Sequence, residues 1–136
     1  MVKTVLFSVA FSLIAGISAA DGFGFMTPSG NIYCNGFVSD GGGIDCSIIN
    51  RQGPTALPRP SSCTQSWGHT YSVEGRGQAR MTCSKVPSPV NYSDIAAYGL
   101  SAQFGDITCT SERTGLTWRN PAVHGFFLSR RQQNVF

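Results

Sequence analysis

Past residue 20 the chain alternates apolar and polar positions over short stretches, each closed by glycine, proline or small polar residues. The clearest is Ile44-Asp45-Cys46-Ser47-Ile48, where every second residue is apolar, the period of a strand with one buried face. Upstream, Phe23-Gly24-Phe25-Met26 runs into the turn Thr27-Pro28-Ser29-Gly30, and Asn31-Ile32-Tyr33-Cys34 begins a strand. That strand meets the one at Ile44 across Ser39-Asp40-Gly41-Gly42-Gly43, whose successive glycines free the backbone to turn, so the two predict a hairpin. His69-Thr70-Tyr71-Ser72-Val73 and Gln78-Ala79-Arg80-Met81-Thr82-Cys83 predict a second, joined across Glu74-Gly75-Arg76-Gly77. A third strand pair is predicted over residues 103–110 and 115–119, around Glu112-Arg113-Thr114-Gly115. A last strand is predicted over residues 124–129, ahead of a polar tail expected to fray.

Between the hairpins lies Gly53-Pro54-Thr55-Ala56-Leu57-Pro58-Arg59-Pro60. Proline fixes φ and lacks an amide donor, so this connector is expected to run extended over the surface. Residues 92–98 are the only stretch with room for a helical turn. With no heptad, no long amphipathic helix and no repeat, the expected fold is all-β, a small barrel or sandwich of short antiparallel hairpins.

The N-terminus follows a different pattern. Lys3 precedes an uninterrupted, mostly apolar run over residues 5–17, and Ser18-Ala19-Ala20 supplies small residues before Asp21. This is the three-part layout of a secretory signal peptide, with cleavage expected after residue 20. A spanning helix needs about 20 apolar residues, and no later stretch reaches that length, so no membrane span is expected after cleavage. The remaining residues, 21–136, are sufficient for one domain in the periplasm or outside the cell. A domain of that size buries roughly two thirds of its unfolded surface, a modest core that covalent links would strengthen.

Removing Lys3 leaves nine basic residues against seven acidic ones. So slight an excess argues against a nucleic-acid partner, and Arg130-Arg131 reads as a solvated terminus. The partner expected is an unidentified protein or envelope component.

Export changes the reading of the five cysteines, because an oxidising compartment favours disulfides. Cys34 and Cys46 fall on the two arms of the first hairpin, while Cys63 and Cys83 bracket the second, so these two pairs are expected. Each is worth roughly 3 kcal/mol on the chain-entropy model. Zinc is disfavoured: there is no C-x2-C pair, and His69 and His124 have no metal-ligand spacing. No metal or cofactor is expected. Cys109 is left over: a free buried thiol, a bridge between two copies, or a thiol that has lost its partner, with one thiol expected to react without reduction in a monomer.

Three segments carry a resemblance. Phe25-Met26-Thr27-Pro28-Ser29-Gly30-Asn31-Ile32 with Cys34, Gly115-Leu116-Thr117-Trp118-Arg119-Asn120, and His124-Gly125-Phe126-Phe127-Leu128-Ser129-Arg130 resemble a family of small exported bacterial proteins of uncharacterised function. With Trp67-Gly68 and the cysteines, the likeness spans nearly the whole chain after residue 20. In that family the second segment usually reads Gly-Leu-Thr-Cys, which implies three sequential disulfides. Here Trp118 stands at the cysteine position, so the resemblance implies that Cys109 has lost its partner. It implies no activity.

For catalysis, the sharpest combination is His69, Glu74, Arg76 and His124. Small secreted ribonucleases pair a carboxylate or histidine base with a histidine acid and stabilise the phosphorane with arginine. Glu74 and Arg76 fall in a predicted turn, where charges are ordinary, and no Gly-x-Ser-x-Gly elbow is present. A non-enzymatic binding or structural module is therefore favoured over this ribonuclease-like alternative.

Overall fold

In the computed structural model, residues 22–136 are described; the expected signal peptide, residues 1–20, lies outside them. Five strands, β1 (Gly22–Met26), β2 (Ile32–Phe37), β3 (Gly43–Ile48), β4 (Ser66–Glu74) and β5 (Arg80–Ser84), form an antiparallel sheet in chain order. Five more, β6 (Ser101–Phe104), β7 (Ile107–Glu112), β8 (Gly115–Arg119), β9 (Gly125–Leu128) and β10 (Gln133–Val135), form a second.

Alternation decides how the sheets meet. On β2 and β3 the residues Ile32, Cys34, Ile44, Cys46 and Ile48 are buried, while Asn35 and Asp45 between them are exposed. On the second sheet Ile107, Cys109, Leu116, Trp118, Phe126 and Leu128 are buried in the same core. Each sheet thus turns one apolar face to the other. Rings seal the contact: Trp118 lies 6.1 Å from Phe25, Phe126 lies 5.6 Å from Tyr71, and Phe23 stacks on Phe104 at 4.2 Å.

Of the two expected architectures, the structure is a sandwich and not a closed barrel, since no strand pairing joins the sheets among the described residues. The crossing from β5 to β6 carries Pro87 and Pro89, which cannot donate to a ladder, and the chain changes layer there as a loop. That loop still protects an edge. Met26 donates to the Asp94 carbonyl at 3.1 Å and Ala96 donates to the Met26 carbonyl at 2.9 Å, which covers β1.

Three expectations need correction. Residues 103–110 are not one strand but the hairpin of β6 and β7, which turns at Gly105-Asp106. Residues 92–98 hold no helical turn; Ile95 makes a parallel bridge with Met26 instead. The polar tail does not fray, because Gln133–Val135 pairs with β9 and the Gln133 side chain is buried. Its amide donates to the Ser129 carbonyl at 2.8 Å and its oxygen accepts from Arg51 Nε at 2.8 Å.

Cys34 is bonded to Cys46, its direct cross-strand neighbour, and Cys63 to Cys83. Cys109 is free and buried.

Candidate functional site

The two ends of the sandwich differ. At one end the sheets are tied together where Asp106 donates its backbone N–H to the Gly41 carbonyl at 2.7 Å, and within the first sheet Gly75 donates to Gly42 at 3.0 Å. The Asn120 amide, on the second sheet, donates to the Glu74 and Gly77 carbonyls of the first at 3.0 and 2.9 Å. Its oxygen accepts from Ala122 and His124 backbone N–H groups, so one buried side chain holds two turns in place. This end is closed.

The other end opens into a groove of about 600 Å³. Three separate turns meet there. Residues 27–31 are fixed by Gly30 donating to the Thr27 carbonyl at 2.8 Å and by Asn31, whose amide donates to the Asn50 carbonyl at 2.9 Å and whose oxygen accepts from Asn50 N–H at 2.8 Å. At the β7–β8 turn Gly115 has φ +152°, and a Cβ there would lie 2.4 Å from the Phe127 ring, so only glycine fits. The third turn is closed by Ser129, whose hydroxyl donates to the Gln132 carbonyl at 3.0 Å and whose N–H donates to it at 2.9 Å. The loop ahead of β6 supplies Val90 and Tyr98 as a further wall, and the Arg113 guanidinium lies 5.0 Å over the Tyr98 ring.

A second cavity of about 480 Å³ continues the groove, sharing Ile49, Asn50 and Arg130 with it and adding Arg51 and His69. His69 Nδ1 donates to the Ile48 carbonyl at 2.8 Å, which leaves Nε2 as the free ring nitrogen in the neutral form.

The four residues of the ribonuclease-like alternative do not share a cavity of this kind. His69 and Glu74 lie on β4 five positions apart, about 16 Å at strand rise. Glu74 ends its strand at the closed end, where its carboxylate reaches Arg80 at 3.6 Å, both side chains more than half exposed. Arg76 is exposed in the following turn, and the His124 imidazole makes no hydrogen bond among the described residues; only its backbone is held, by Asn120. No three His, Cys, Asp or Glu side chains gather as a metal site among those residues.

Cys109 is 1 % exposed, and burial pushes its thiol up to about 12. The expectation of a thiol that reacts without reduction is therefore corrected: the sulfur is protonated at neutral pH and sealed between the sheets. The same burial takes it out of reach of a second copy in the folded state. Beside it Trp118 is fully buried, its indole N–H unpartnered among the described residues.

Sequence reasoning missed the polar groups of the open end. Arg130 reads as part of a solvated terminus, Arg113 as a residue of a hairpin turn and Tyr98 as the end of a stretch with room for a helical turn, while Asn50 carries no signal of its own. The available signal was that the open-end turns lie in the three segments carrying the family likeness: residues 27–31, Gly115-Leu116 and Leu128-Ser129-Arg130.

Comparison with known proteins agrees with that likeness at the level of family. The chain belongs to a family of unknown function, DUF6636, whose model matches residues 5–136. No functionally curated protein and no solved structure matches it.

Proposed function

We propose that this protein is a non-enzymatic binding module, exported to the periplasm or beyond the cell, which takes a protein or envelope partner at the open end of its sandwich. One observation carries the reading. Three turns that are far apart in the chain meet around a single groove, and each is held in shape by its own hydrogen bonds or by a glycine that no other residue can replace. Preformed concave sites of this size suit recognition, and a rigid scaffold lowers the entropy cost of binding. Export is supported by the signal-peptide pattern and by two disulfides in so small a domain.

The test compares capture of envelope components by the protein and by two variants. Asn50→Trp fills the groove while keeping the backbone bonds to Asn31, and Gln78→Ala alters the closed end. A component captured by the protein and by Gln78→Ala but lost with Asn50→Trp supports the reading. Equal capture by all three, or none by any, contradicts it.

A further inference from the structure

The charges around the open end point to the chemistry of the ligand. Arg113 and Arg130 line the groove, and Arg130 also lines the adjoining cavity with Arg51 and His69; Glu112 is the one carboxylate among these lining residues. Among the described residues no carboxylate pairs with any of the three arginines, and the ion pair present is Arg80–Glu74, at the closed end. Arg51 is held rigidly, Nε on Gln133 at 2.8 Å and Nη2 on the Gly53 carbonyl at 2.7 Å, and its other donors have no acceptor among the described residues. Arg113 is set on the Tyr98 ring. By contrast the hydroxyls of Ser29 and Ser129 are spent within their own turns, and the amide of Asn31 on the backbone of Asn50. Unpaired guanidiniums on fixed supports are donors waiting for carboxylates.

The shape narrows the class. Leu116 and Leu128 lie beneath the groove at 0 % exposure, so the apolar surface it offers comes from its walls, Val90 and Tyr98 among them, beside the arginines. The site is an open furrow along two adjoining cavities that share Ile49, Asn50 and Arg130, which suits an extended chain lying across it. Three arginines are too few for a nucleic acid, whose binding depends on many phosphate contacts. We infer that the furrow takes an extended acidic segment of a partner protein, its carboxylates received by Arg113, Arg130 and Arg51. This rests on the open end being the binding site.

The test is fluorescence anisotropy of the purified, disulfide-intact protein with a labelled decapeptide of alternating Glu and Val. Matched Lys-Val and Gln-Val peptides and a short oligonucleotide of equal charge serve as comparisons. The Glu-Val peptide is expected to bind saturably and to weaken severalfold between about 50 and about 300 mM salt. Arg130→Gln with Arg113→Gln should lower affinity at least about tenfold, while Arg76→Gln with Arg80→Gln, the same loss of two charges at the closed end, should leave it unchanged. No saturation up to about 1 mM, equal binding of the Gln-Val peptide, tighter binding of the oligonucleotide, or indifference to the two arginine changes would overturn the inference. If the peptide fails while Asn50→Trp still abolishes capture of an envelope component, the acidic ligand is wrong and the binding site stands. If both fail, both are wrong.

Discussion

Cys109 and Trp118 stand directly opposite each other on β7 and β8, in the register that Cys34 and Cys46 hold on β2 and β3. One sheet closes its central hairpin with a disulfide; the other places a thiol against an indole. Directly opposed residues in antiparallel strands have Cα atoms about 4.5–5.5 Å apart, within disulfide range. The protein with Trp118→Cys is therefore expected to form a third disulfide with Cys109, seen as a mass two hydrogens lower and no alkylatable thiol after unfolding. Its oxidised form should be about 2–3 kcal/mol more stable than its own reduced form. An unbridged variant would mean that the register is wrong.

The indole itself sits in the core, 5.6 Å from Phe104, at the cost of a buried N–H without an acceptor. An unmet donor of this kind costs about 1–3 kcal/mol. Trp118→Phe removes it along with some volume, so the two effects oppose, and chemical denaturation should give a net change within about 1 kcal/mol. Trp118→Ala, which only empties the site, should lose about 3–5 kcal/mol.

Burial of Cys109 and Tyr71 links stability to alkaline pH. Burial pushes both up to about 12, with the Arg51 charge partly opposing the shift at Tyr71, whose hydroxyl also donates to the Gly68 carbonyl at 2.9 Å. In the unfolded chain these groups lose their protons nearer 9 and 10. Their contribution is therefore complete below pH 9 and is lost as pH rises from there towards 12, where the unfolded state holds fewer protons than the folded one. Each group adds a slope of up to about 1.4 kcal/mol per pH unit. Denaturation midpoints measured from pH 8 to 11.5 should fall, and Cys109→Ala should flatten the earlier part of the fall.

Asn120 is the strut of the closed end. Asn120→Ala removes four hydrogen bonds and leaves the Glu74 and Gly77 carbonyls, with the Ala122 and His124 N–H groups, without that partner. The expected loss is about 3 kcal/mol or more by denaturation. Hydrogen exchange should speed up first in the turns at residues 75–79 and 120–124. A loss below about 0.5 kcal/mol would show that the strut carries little.

Much of the sandwich is legible in the chain. Alternation over residues 44–48 reports the buried face of β3 directly, because a strand's period survives without tertiary context. What failed depended on that context. Residues 103–110 carry strand-forming residues on both sides of Gly105-Asp106, and only the pairing of Phe104 with Ile107 shows the reversal. Residues 133–135 have little apolar character, and β10 exists because β9 offers an open edge and Gln133 finds partners at Arg51 and Ser129. The open groove was hidden for a similar reason. Its walls come from turns on both sheets, and no local pattern says that Asn50, Arg113 and Arg130 lie around one cavity.

The central claim is that a partner is held at the open end, and site-specific photo-crosslinking in cells tests it most directly. A photoreactive side chain at position 50 should yield one discrete adduct, and the same group at position 78 none. No adduct at position 50, or the same adduct from both positions, would contradict the account.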